Sequence, residues 1–283
     1  MKIAVASGKG GTGKTTLSIA LTQAIDGKVT LLDCDVEAPN CHLFFAVEPV
    51  VTTPVTVLIP VVDEDICDSC GKCAEICQFN AIICMDIDPA MVFPELCHSC
   101  GGCALVCGTG AISEEQAIIG CIERRVIAPD KELISGRLNI GYSLAPTVIR
   151  AVNKQYTESE HIIIDAPPGT ACPFVATVTE SDFTILVTEP TKFGAHDLSL
   201  AVATLREMKK PFGVVINRSE QNENIITAYC QQENIPLLLQ IAASRKIAEG
   251  YSRGESLLET MPSIKPQLLA MLEQIQNLTG SNV

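Results

Sequence analysis

A glycine-rich stretch near the start of the chain, residues 7–16, constrains the fold more than any other feature. The stretch reads Ser-Gly-Lys-Gly-Gly-Thr-Gly-Lys-Thr-Thr, follows a short apolar run and precedes apolar residues at helical spacing. A strand, a glycine loop and a helix in this order form the phosphate-binding P-loop of α/β proteins. Its template G-x-x-x-x-G-K-[ST] is met by Gly8, Gly13, Lys14 and Thr15.

The residues of this loop have distinct roles in binding a nucleoside triphosphate. Glycines let backbone N–H groups turn toward an anion, and the following helix adds the positive end of its dipole. Lys14 is expected to contact the β- and γ-phosphates of ATP, and the Thr15 hydroxyl to ligate Mg²⁺. The nucleotide-binding residues predicted from the loop are Gly8, Gly10, Gly11, Thr12, Gly13, Lys14, Thr15 and Thr16.

Length, composition and charge limit the classes of protein that remain. The chain of 283 residues can form one large α/β domain, or one such domain carrying a small insert. Its net charge of −13 argues against nucleic acid and against an anionic membrane surface as partners. We find no signal-peptide pattern and no apolar run of membrane-spanning length, so we expect a cytoplasmic protein without stable membrane anchoring.

Lys9 indicates which class of P-loop this sequence contains. With it the loop reads Lys-Gly-Gly-x-Gly-Lys-Thr, which resembles the deviant Walker A motif of the MinD/ParA/nitrogenase-iron-protein ATPases. The resemblance implies that Lys9 crosses a homodimer interface to the phosphates of the partner's nucleotide, in the manner of an arginine finger. It therefore predicts a homodimer that sandwiches ATP and hydrolyses it, with Lys9 and Lys14 as catalytic residues.

Carboxylates follow two of the predicted strands, at the edge of the sheet where nucleotides bind in parallel α/β proteins. The segment from Asp35 to Asn40 resembles switch I, and Asp165-Ala-Pro-Pro-Gly169 resembles the Walker B aspartate and switch II of the MinD and Mrp groups. By that resemblance, Asp35 orients or deprotonates the attacking water and Asp33 supports the magnesium shell. Asp165 would hold Mg²⁺ through water, and the Gly169 N–H would sense the γ-phosphate. The alternative for Asp33 and Asp35 is that they only cap the following helix.

Eight of the 14 cysteines fall into two groups with the same spacing, C-x₂-C-x₂-C-x₃-C. This is the spacing of bacterial ferredoxins, in which the fourth cysteine of each motif ligates the other cluster. We therefore expect one 4Fe–4S cluster to be held by Cys67, Cys70, Cys73 and Cys107. The second would be held by Cys77, Cys97, Cys100 and Cys103. The alternatives are a pair of zinc sites, which favour two pairs of ligands at C-x₂-C spacing, or no metal.

The predicted architecture is a doubly wound, mostly parallel α/β P-loop domain interrupted by a small second domain. Residues 1–61 and 113–283 are assigned to the nucleotide-binding domain, and residues 62–112 to an α+β ferredoxin-like insert. The chain as a whole resembles a MinD/Mrp-type P-loop ATPase that carries two 4Fe–4S clusters in this insert. Cys172 lies seven residues after Asp165, the offset at which the nitrogenase iron protein family has a cluster-binding cysteine, so the resemblance implies a metal ligand there; the alternative is a small buried thiol beside switch II. The remaining cysteines are expected to be packing residues; they are Cys34, Cys41, Cys84, Cys121 and Cys230.

Apolar runs in the second half of the chain predict the rest of the sheet. Strands are expected over residues 183–187, 214–216 and 237–239, each separated from the next by a helical pattern. Asn217 and Arg218, at the end of the second of these strands, resemble the adenine-recognising Asn-Arg pair of the family. A final helix is expected to pack one face in the core through Ile264, Leu268, Leu272 and Ile275.

Two functions are compatible with a P-loop ATPase domain that carries two predicted 4Fe–4S clusters. In the first, ATP turnover drives electron delivery from the clusters to a redox partner, as in nitrogenase-type reductases. In the second, the protein is an ATP-dependent assembly or carrier protein for iron–sulfur or other metal cofactors, as in the Mrp group. Eight cysteines in ferredoxin spacing favour the first, because such ligation keeps clusters in place.

The insert is also strongly acidic. Its acidic residues form either a solvated face or a docking surface for a basic redox partner. Lys72 is the single basic residue among them, and the acids are Asp63, Glu64, Asp65, Asp68, Glu75, Asp86, Asp88 and Glu95.

Overall fold

The computed structural model describes residues 1–85, 87–155, 159–220 and 224–280, so Asp86 of the acidic set lies outside the described residues. The strands are β1 (Lys2–Ala6), β2 (Val29–Asp33), β3 (Val51–Val62), β4 (Ile82–Ile83), β5 (Met91–Val92), β6 (Ile112–Ala128), β7 (Lys131–Leu138), β8 (His161–Asp165), β9 (Phe183–Thr188), β10 (Phe212–Ser219) and β11 (Leu237–Ala242). The helices are α1 (Lys14–Ala24), α2 (Lys72–Ile76), α3 (Gly102–Val106), α4 (Ala145–Asn153), α5 (Cys172–Val178), α6 (Lys192–Glu207), α7 (Ile225–Gln232), α8 (Arg245–Ser252), α9 (Leu257–Thr260) and α10 (Lys265–Thr279).

Within the described residues, nine strands form one sheet in the order β11-β10-β9-β1-β8-β2-β7-β6-β3. The pairs from β11 to β7 are parallel, and only β7–β6 and β6–β3 are antiparallel. The doubly wound, mostly parallel α/β fold predicted from the sequence is therefore confirmed. The strands predicted over residues 183–187, 214–216 and 237–239 are present as β9, β10 and β11, each extending beyond the predicted range.

The central strand β1 separates two hydrophobic cores. Ala4 and Ala6 face one core, whereas Ile3 and Val5 face the other, because successive side chains of a strand point to opposite faces. A strand that is buried on both faces needs a continuous apolar sequence, as β1 has. Helices α4, α5 and α6 cover the first face, and α1 and α10 cover the second.

The last helix packs as the sequence predicts. In α10, Leu268, Leu272 and Ile275 are buried against the second core, and Ile264 is buried immediately before the helix begins. Among the helices of the described residues, none combines the length and the apolar character that crossing a bilayer requires.

A long antiparallel ribbon was not predicted. Strand β3 pairs with β6 along the whole length of β3, from Val51 opposite Arg124 to Val62 opposite Ile112. Pro54 lies within β3, which is tolerated because β3 is the outermost strand and lacks a neighbour on one side. The ribbon extends the nucleotide-binding sheet and ends at the cysteine-rich segment.

Residues 63–111 leave the sheet at the end of β3 and return at the start of β6. They contain α2, α3 and the two-stranded sheet of β4 and β5, around a small core of Cys73, Ile82, Ala90 and Ile112. The division of the chain into a nucleotide-binding domain and a ferredoxin-like insert stays a prediction.

Candidate nucleotide-binding site and cysteine pocket

The loop between β1 and α1 adopts a conformation that its glycines make possible. Gly11 and Gly13 have φ angles of 79° and 95°, in the left-handed region that favours glycine. The Gly13 carbonyl accepts a hydrogen bond from Leu17 N at 3.0 Å, so the first turn of α1 begins directly after the loop. The N-terminus of α1 therefore faces the space at the carboxyl end of the sheet, where an anion is stabilised by the helix dipole.

A cavity of about 330 Å³ opens at this point. The predicted residues that line it are Gly10, Gly11, Gly13, Lys14, Thr15, Thr16, Asp35, Asn217 and Arg218. The opposite wall comes from β11 and α8, where Ile241, Ile247 and Tyr251 provide apolar surface that sequence reasoning did not assign to the site. A flat aromatic base fits an apolar wall of this kind, whereas phosphates fit the loop.

The other predicted loop residues support the cavity from outside. Gly8 packs so closely against the backbone carbonyl of Asp197 in α6 that a side chain would collide with it. Thr12 is buried, and its carbonyl accepts a hydrogen bond from the Asn217 amide nitrogen at 2.8 Å. In this structure Asn217 therefore fastens the P-loop to the end of β10, in addition to lining the cavity.

Asp165 is held by two hydroxyl groups of α1. Thr15 Oγ1 donates to Asp165 Oδ2 at 2.7 Å, and Ser18 Oγ donates to Asp165 Oδ1 at 2.8 Å. The carboxylate is buried. Both predicted magnesium-binding groups, the Thr15 hydroxyl and Asp165, are thus in direct contact at the foot of the cavity.

Asp33 organises the loop that follows β2. Its carboxylate accepts backbone hydrogen bonds from Asp35 at 3.2 Å, Asn40 at 3.1 Å and Cys41 at 3.0 Å. It lies behind the cavity wall and beside Asp165, which is its register partner in β8. The predicted role of Asp33 in the magnesium shell stays a prediction, and its structural role is to shape the switch I segment.

The carboxylates of this region carry raised pKa values. Burial raises the pKa of Asp33, and the charge of Asp165 raises it further. Burial also raises the pKa of Asp165, against the opposing effect of hydrogen bonds from Thr15 and Ser18. Burial and then the charge of Asp165 raise the pKa of Asp35 to about 6. A group of carboxylates with one lysine beside it is a chemically suitable site for a hard divalent cation such as Mg²⁺.

Cys41 belongs to this region, which sequence reasoning missed. It is buried, as expected of a packing residue, but its Sγ lies 3.5 Å from Asp165 Oδ2. Among the described residues, Asp33, Cys41 and Asp165 are the one group whose potential ligand atoms all lie within 4.8 Å of one another. The only signal in the sequence is the position of Cys41 directly after the predicted switch I segment.

Gly169 connects switch II to the P-loop. It has a φ angle of 92°, and its N–H donates to the Ser7 carbonyl at 3.1 Å. The N–H that is predicted to sense the γ-phosphate is therefore bonded to the protein itself in this structure.

Four of the predicted cluster ligands line one cavity in the insert. Cys77 of the first motif lies in its wall together with Cys97, Cys100 and Cys103 of the second, around a volume of about 260 Å³. Most of the remaining wall is apolar and includes Ile76 and Phe79. Burial raises the pKa of the Cys97 and Cys103 thiols. The grouping matches the exchange of fourth ligands between motifs that is typical of two-cluster ferredoxins.

The other predicted set is arranged differently. Cys73 is buried in the small core of the insert, and Cys67 and Cys107 pack against that core, as do Cys77 and Cys103 of the second set. Cys84, which was expected to be a packing residue, contacts the same core. Cys70 is exposed.

The cysteine spacing does not match single-ion sites. All 14 cysteines are free thiols. Within the described part of the chain, no three of the eight motif cysteines have sulfurs within 4.8 Å of one another. In tetrahedral zinc the sulfurs are about 3.8 Å apart, as follows from a Zn–S bond of about 2.3 Å. As placed here, these sulfurs do not form a ready-made tetrahedral zinc site.

The cysteine-rich segment contacts the residues that precede α4 next to the cysteine cavity. The His98 ring stacks on Phe79, with ring centroids 3.6 Å apart and planes at 7°. His98 Nε2 lies 3.4 Å from the hydroxyl of Ser143, just before α4. The same helix contacts α5, because Asn153 Nδ2 donates to the Ala176 carbonyl at 3.3 Å.

Comparison with known proteins agrees with this description. Residues 3–258 match the family model of the CobQ/CobB/MinD/ParA nucleotide binding domain. The uncharacterised protein MJ0578 of Methanocaldococcus jannaschii is 38% identical over 227 residues, which cover 78% of this chain and 79% of that protein. An iron-sulfur cluster carrier protein of Rickettsia conorii is 24% identical over 271 residues, covering 92% of this chain and 67% of that protein. The septum site-determining protein MinD of Pyrococcus horikoshii, solved with Mg-ADP, matches the fold with a TM-score of 0.59 at 20% identity, covering 99% of this chain and 97% of that one. The chain belongs to the CobQ/CobB/MinD/ParA family of nucleotide-binding domains.

Proposed function

We propose that this protein is a homodimeric ATPase that holds two 4Fe–4S clusters in its insert and couples its nucleotide state to electron transfer through them. The observation that carries the iron–sulfur half is the cavity shared by Cys77, Cys97, Cys100 and Cys103. Three ligands from one motif and one from the other are what a ferredoxin-type cluster requires. When bound, such clusters accept and donate single electrons.

The ATPase half is supported by the residues around the P-loop cavity. Lys14 and the N-terminus of α1 would bind the phosphates, and the Thr15 hydroxyl would turn from Asp165 to Mg²⁺. Asp35 lines the cavity and has a pKa raised to about 6. A carboxylate with a pKa nearer to neutrality suits the predicted role of orienting or deprotonating the attacking water.

Switch II provides the means of sensing ATP. The Gly169 N–H can bond either to the Ser7 carbonyl, as it does here, or to a γ-phosphate. Exchange of this partner would move the segment that leads into α5, and hydrolysis would reverse the movement. Because α5 is bonded to α4 through Asn153, the segment just before α4, at Ser143, would respond. His98 would then transmit the response to the cysteine cavity.

The alternative function is delivery of iron–sulfur or other metal cofactors to acceptor proteins. The likeness to the Rickettsia iron-sulfur cluster carrier protein supports it, although at 24% identity. Cys70 and Cys100 are exposed, so an acceptor could approach one ligand of each predicted cluster. The apolar wall around the other cysteines of the second set favours retention of the cluster.

The test is anaerobic reconstitution followed by a transfer assay. We expect about eight irons per chain, as two 4Fe–4S clusters require. We also expect the clusters to stay bound to the protein while an electron acceptor is reduced faster in the presence of ATP and Mg²⁺. Movement of intact clusters to an apo-ferredoxin would establish the carrier function instead. Bound zinc, or no metal after reconstitution, would rule out both functions.

A further inference from the structure

Glu189 contacts two cations that the proposed function assigns to the nucleotide. It follows β9 directly, and its carboxylate lies 3.5 Å from Lys9 Nζ and 2.5 Å from an Arg218 guanidinium nitrogen. Its side chain is only 14% exposed, compared with 31% for Lys9 and 63% for Arg218. One largely buried carboxylate therefore joins the P-loop lysine to the end of β10.

The backbone that carries this carboxylate is held firmly. Thr191 caps α6 by accepting a hydrogen bond from Gly194 N at 2.9 Å, and Thr188 Oγ1 donates to the Gly194 carbonyl at 3.0 Å. Gly194 also packs against the Glu189 carbonyl so closely that a side chain there would collide with it. Glu189 is thus presented from a fixed turn, and its position does not depend on its two cationic partners.

The two cations are bound unequally. Arg218 makes the short contact, whereas Lys9 lies at the outer limit of a direct ion pair. A buried carboxylate that loses its last partner is costly, but Glu189 keeps Arg218 when Lys9 departs. Lys9 is therefore the partner that can leave.

We propose that Glu189 is a positioning residue that holds Lys9 within its own protomer, in competition with the nucleotide phosphates of the partner protomer. This role rests on the proposed function of Lys9 across the dimer interface. Because the contact must break before Lys9 can cross, Glu189 sets the protein concentration at which nucleotide-bound protomers pair. Arg218 lines the nucleotide cavity, on the side where the adenine base is predicted to bind. Because Glu189 contacts both Arg218 and Lys9, binding of the base is coupled to the position of Lys9.

The experiment is a double-mutant cycle on dimer formation. Sedimentation of wild type, E189Q, K9A and K9A/E189Q is measured with Mg²⁺ and a non-hydrolysable ATP analogue at saturation. We expect E189Q to lower the dimer dissociation constant about two- to fivefold, the range for partly exposed ion pairs. In the K9A background, E189Q should leave the dimer dissociation constant unchanged, because the contact between Lys9 and Glu189 is already absent.

A matched control is E233Q, which removes a carboxylate paired with Arg206 at 2.6 Å, away from the P-loop. It should leave dimer formation unchanged. Three results would each overturn the role of Glu189. They are an equal change of the dimer dissociation constant by E189Q in the wild-type and K9A backgrounds, no change in the wild-type background, or a weaker dimer in E189Q. If E189Q does not fold, R218Q tests the same contact with the opposite sign. Among the described residues Lys9 is then the one cation left in an ion pair with Glu189, and dimer formation should weaken only while Lys9 is present.

Failure of this proposal is distinguishable from failure of the proposed function. A wild-type protein that stays monomeric with the ATP analogue contradicts the sandwich dimer itself. A wild-type dimer that E189Q leaves unaltered contradicts only the role of Glu189.

Discussion

Asp33 and Asp165 lie opposite each other in the neighbouring parallel strands β2 and β8, and both carboxylates are buried. This register places Asp33 beside Asp165 behind the wall of the nucleotide cavity, and Asp35 lines the cavity itself. Burial raises the pKa of Asp35 and Asp165 against the opposing charge of Lys14, so a divalent cation bound beside these carboxylates would favour their ionised forms.

The first prediction concerns the pH dependence of stability without Mg²⁺ and nucleotide. The pKa of Asp35 is raised to about 6 in the folded protein, so between about pH 4 and pH 6 the folded state holds a proton that the unfolded state has lost. The free energy of unfolding should therefore fall with rising pH across this window. D35N should make that fall smaller, since the raised pKa values of Asp33 and Asp165 maintain the rest of it. The variant should be more stable than wild type by roughly 1–2 kcal/mol above pH 6, after allowance for solvent screening.

Urea unfolding in a chelator at several pH values measures this difference. The control is D26N, which alters a side chain that is 92% exposed and should leave the pH profile unchanged. Parallel profiles for wild type and D35N would contradict the assigned electrostatics.

Whether a feature of this structure could be predicted from the sequence depends on how far apart its contacting residues lie along the chain. The P-loop was predictable because a strand, left-handed glycines and a helix start are specified by neighbouring residues. The strand-end carboxylates were predictable because parallel strands end at one edge of the sheet. In both cases the physical cause lies within a few residues of the motif.

Contacts between distant segments were not predictable. Lys9 and Glu189 are 180 positions apart, and Cys41 and Asp165 are 124 apart. No local pattern marks such pairs. The β3–β6 ribbon was missed for a related reason: β3 has prolines and exposed apolar residues, which are typical of an edge strand but do not indicate its partner.

The second prediction concerns Lys9. K9A should lower ATP turnover by about 10³-fold or more, the scale of a lost arginine finger, because no other group would reach the partner's phosphates. Nucleotide affinity of the monomer should be nearly unchanged, since Lys9 does not line the cavity. Turnover and ADP titration are measured on the same preparation, with K28A as an exposed-lysine control. Retained turnover in K9A would exclude a trans-acting lysine.

The third prediction concerns the exchange of ligands between the two cysteine motifs. Cys77 lines the cavity that Cys97, Cys100 and Cys103 also line, so C77A and C97A should each lose the same cluster. The double variant C77A/C97A should keep about four irons per chain, whereas C77A/C67A should keep none. Iron and sulfide analysis after anaerobic reconstitution measures this, with C121A as the control. Equal iron in the two double variants would contradict the ligand assignment.

The fourth prediction concerns the contact between the insert and α4. The Ser143 hydroxyl lies 3.4 Å from His98 Nε2, and His98 stacks on Phe79 at the wall of the cysteine cavity. S143A should preserve iron content and should change ATP turnover less than twofold, a surface substitution being worth about 0.5 kcal/mol or less. It should reduce the change that ATP and Mg²⁺ produce in the electron paramagnetic resonance spectrum of the reduced clusters, because α4 would no longer hold His98. S199A, which alters an exposed hydroxyl of α6, serves as the control. If S143A responds to ATP as wild type does, the nucleotide signal reaches the insert by another route, such as the β3–β6 ribbon that leads into it.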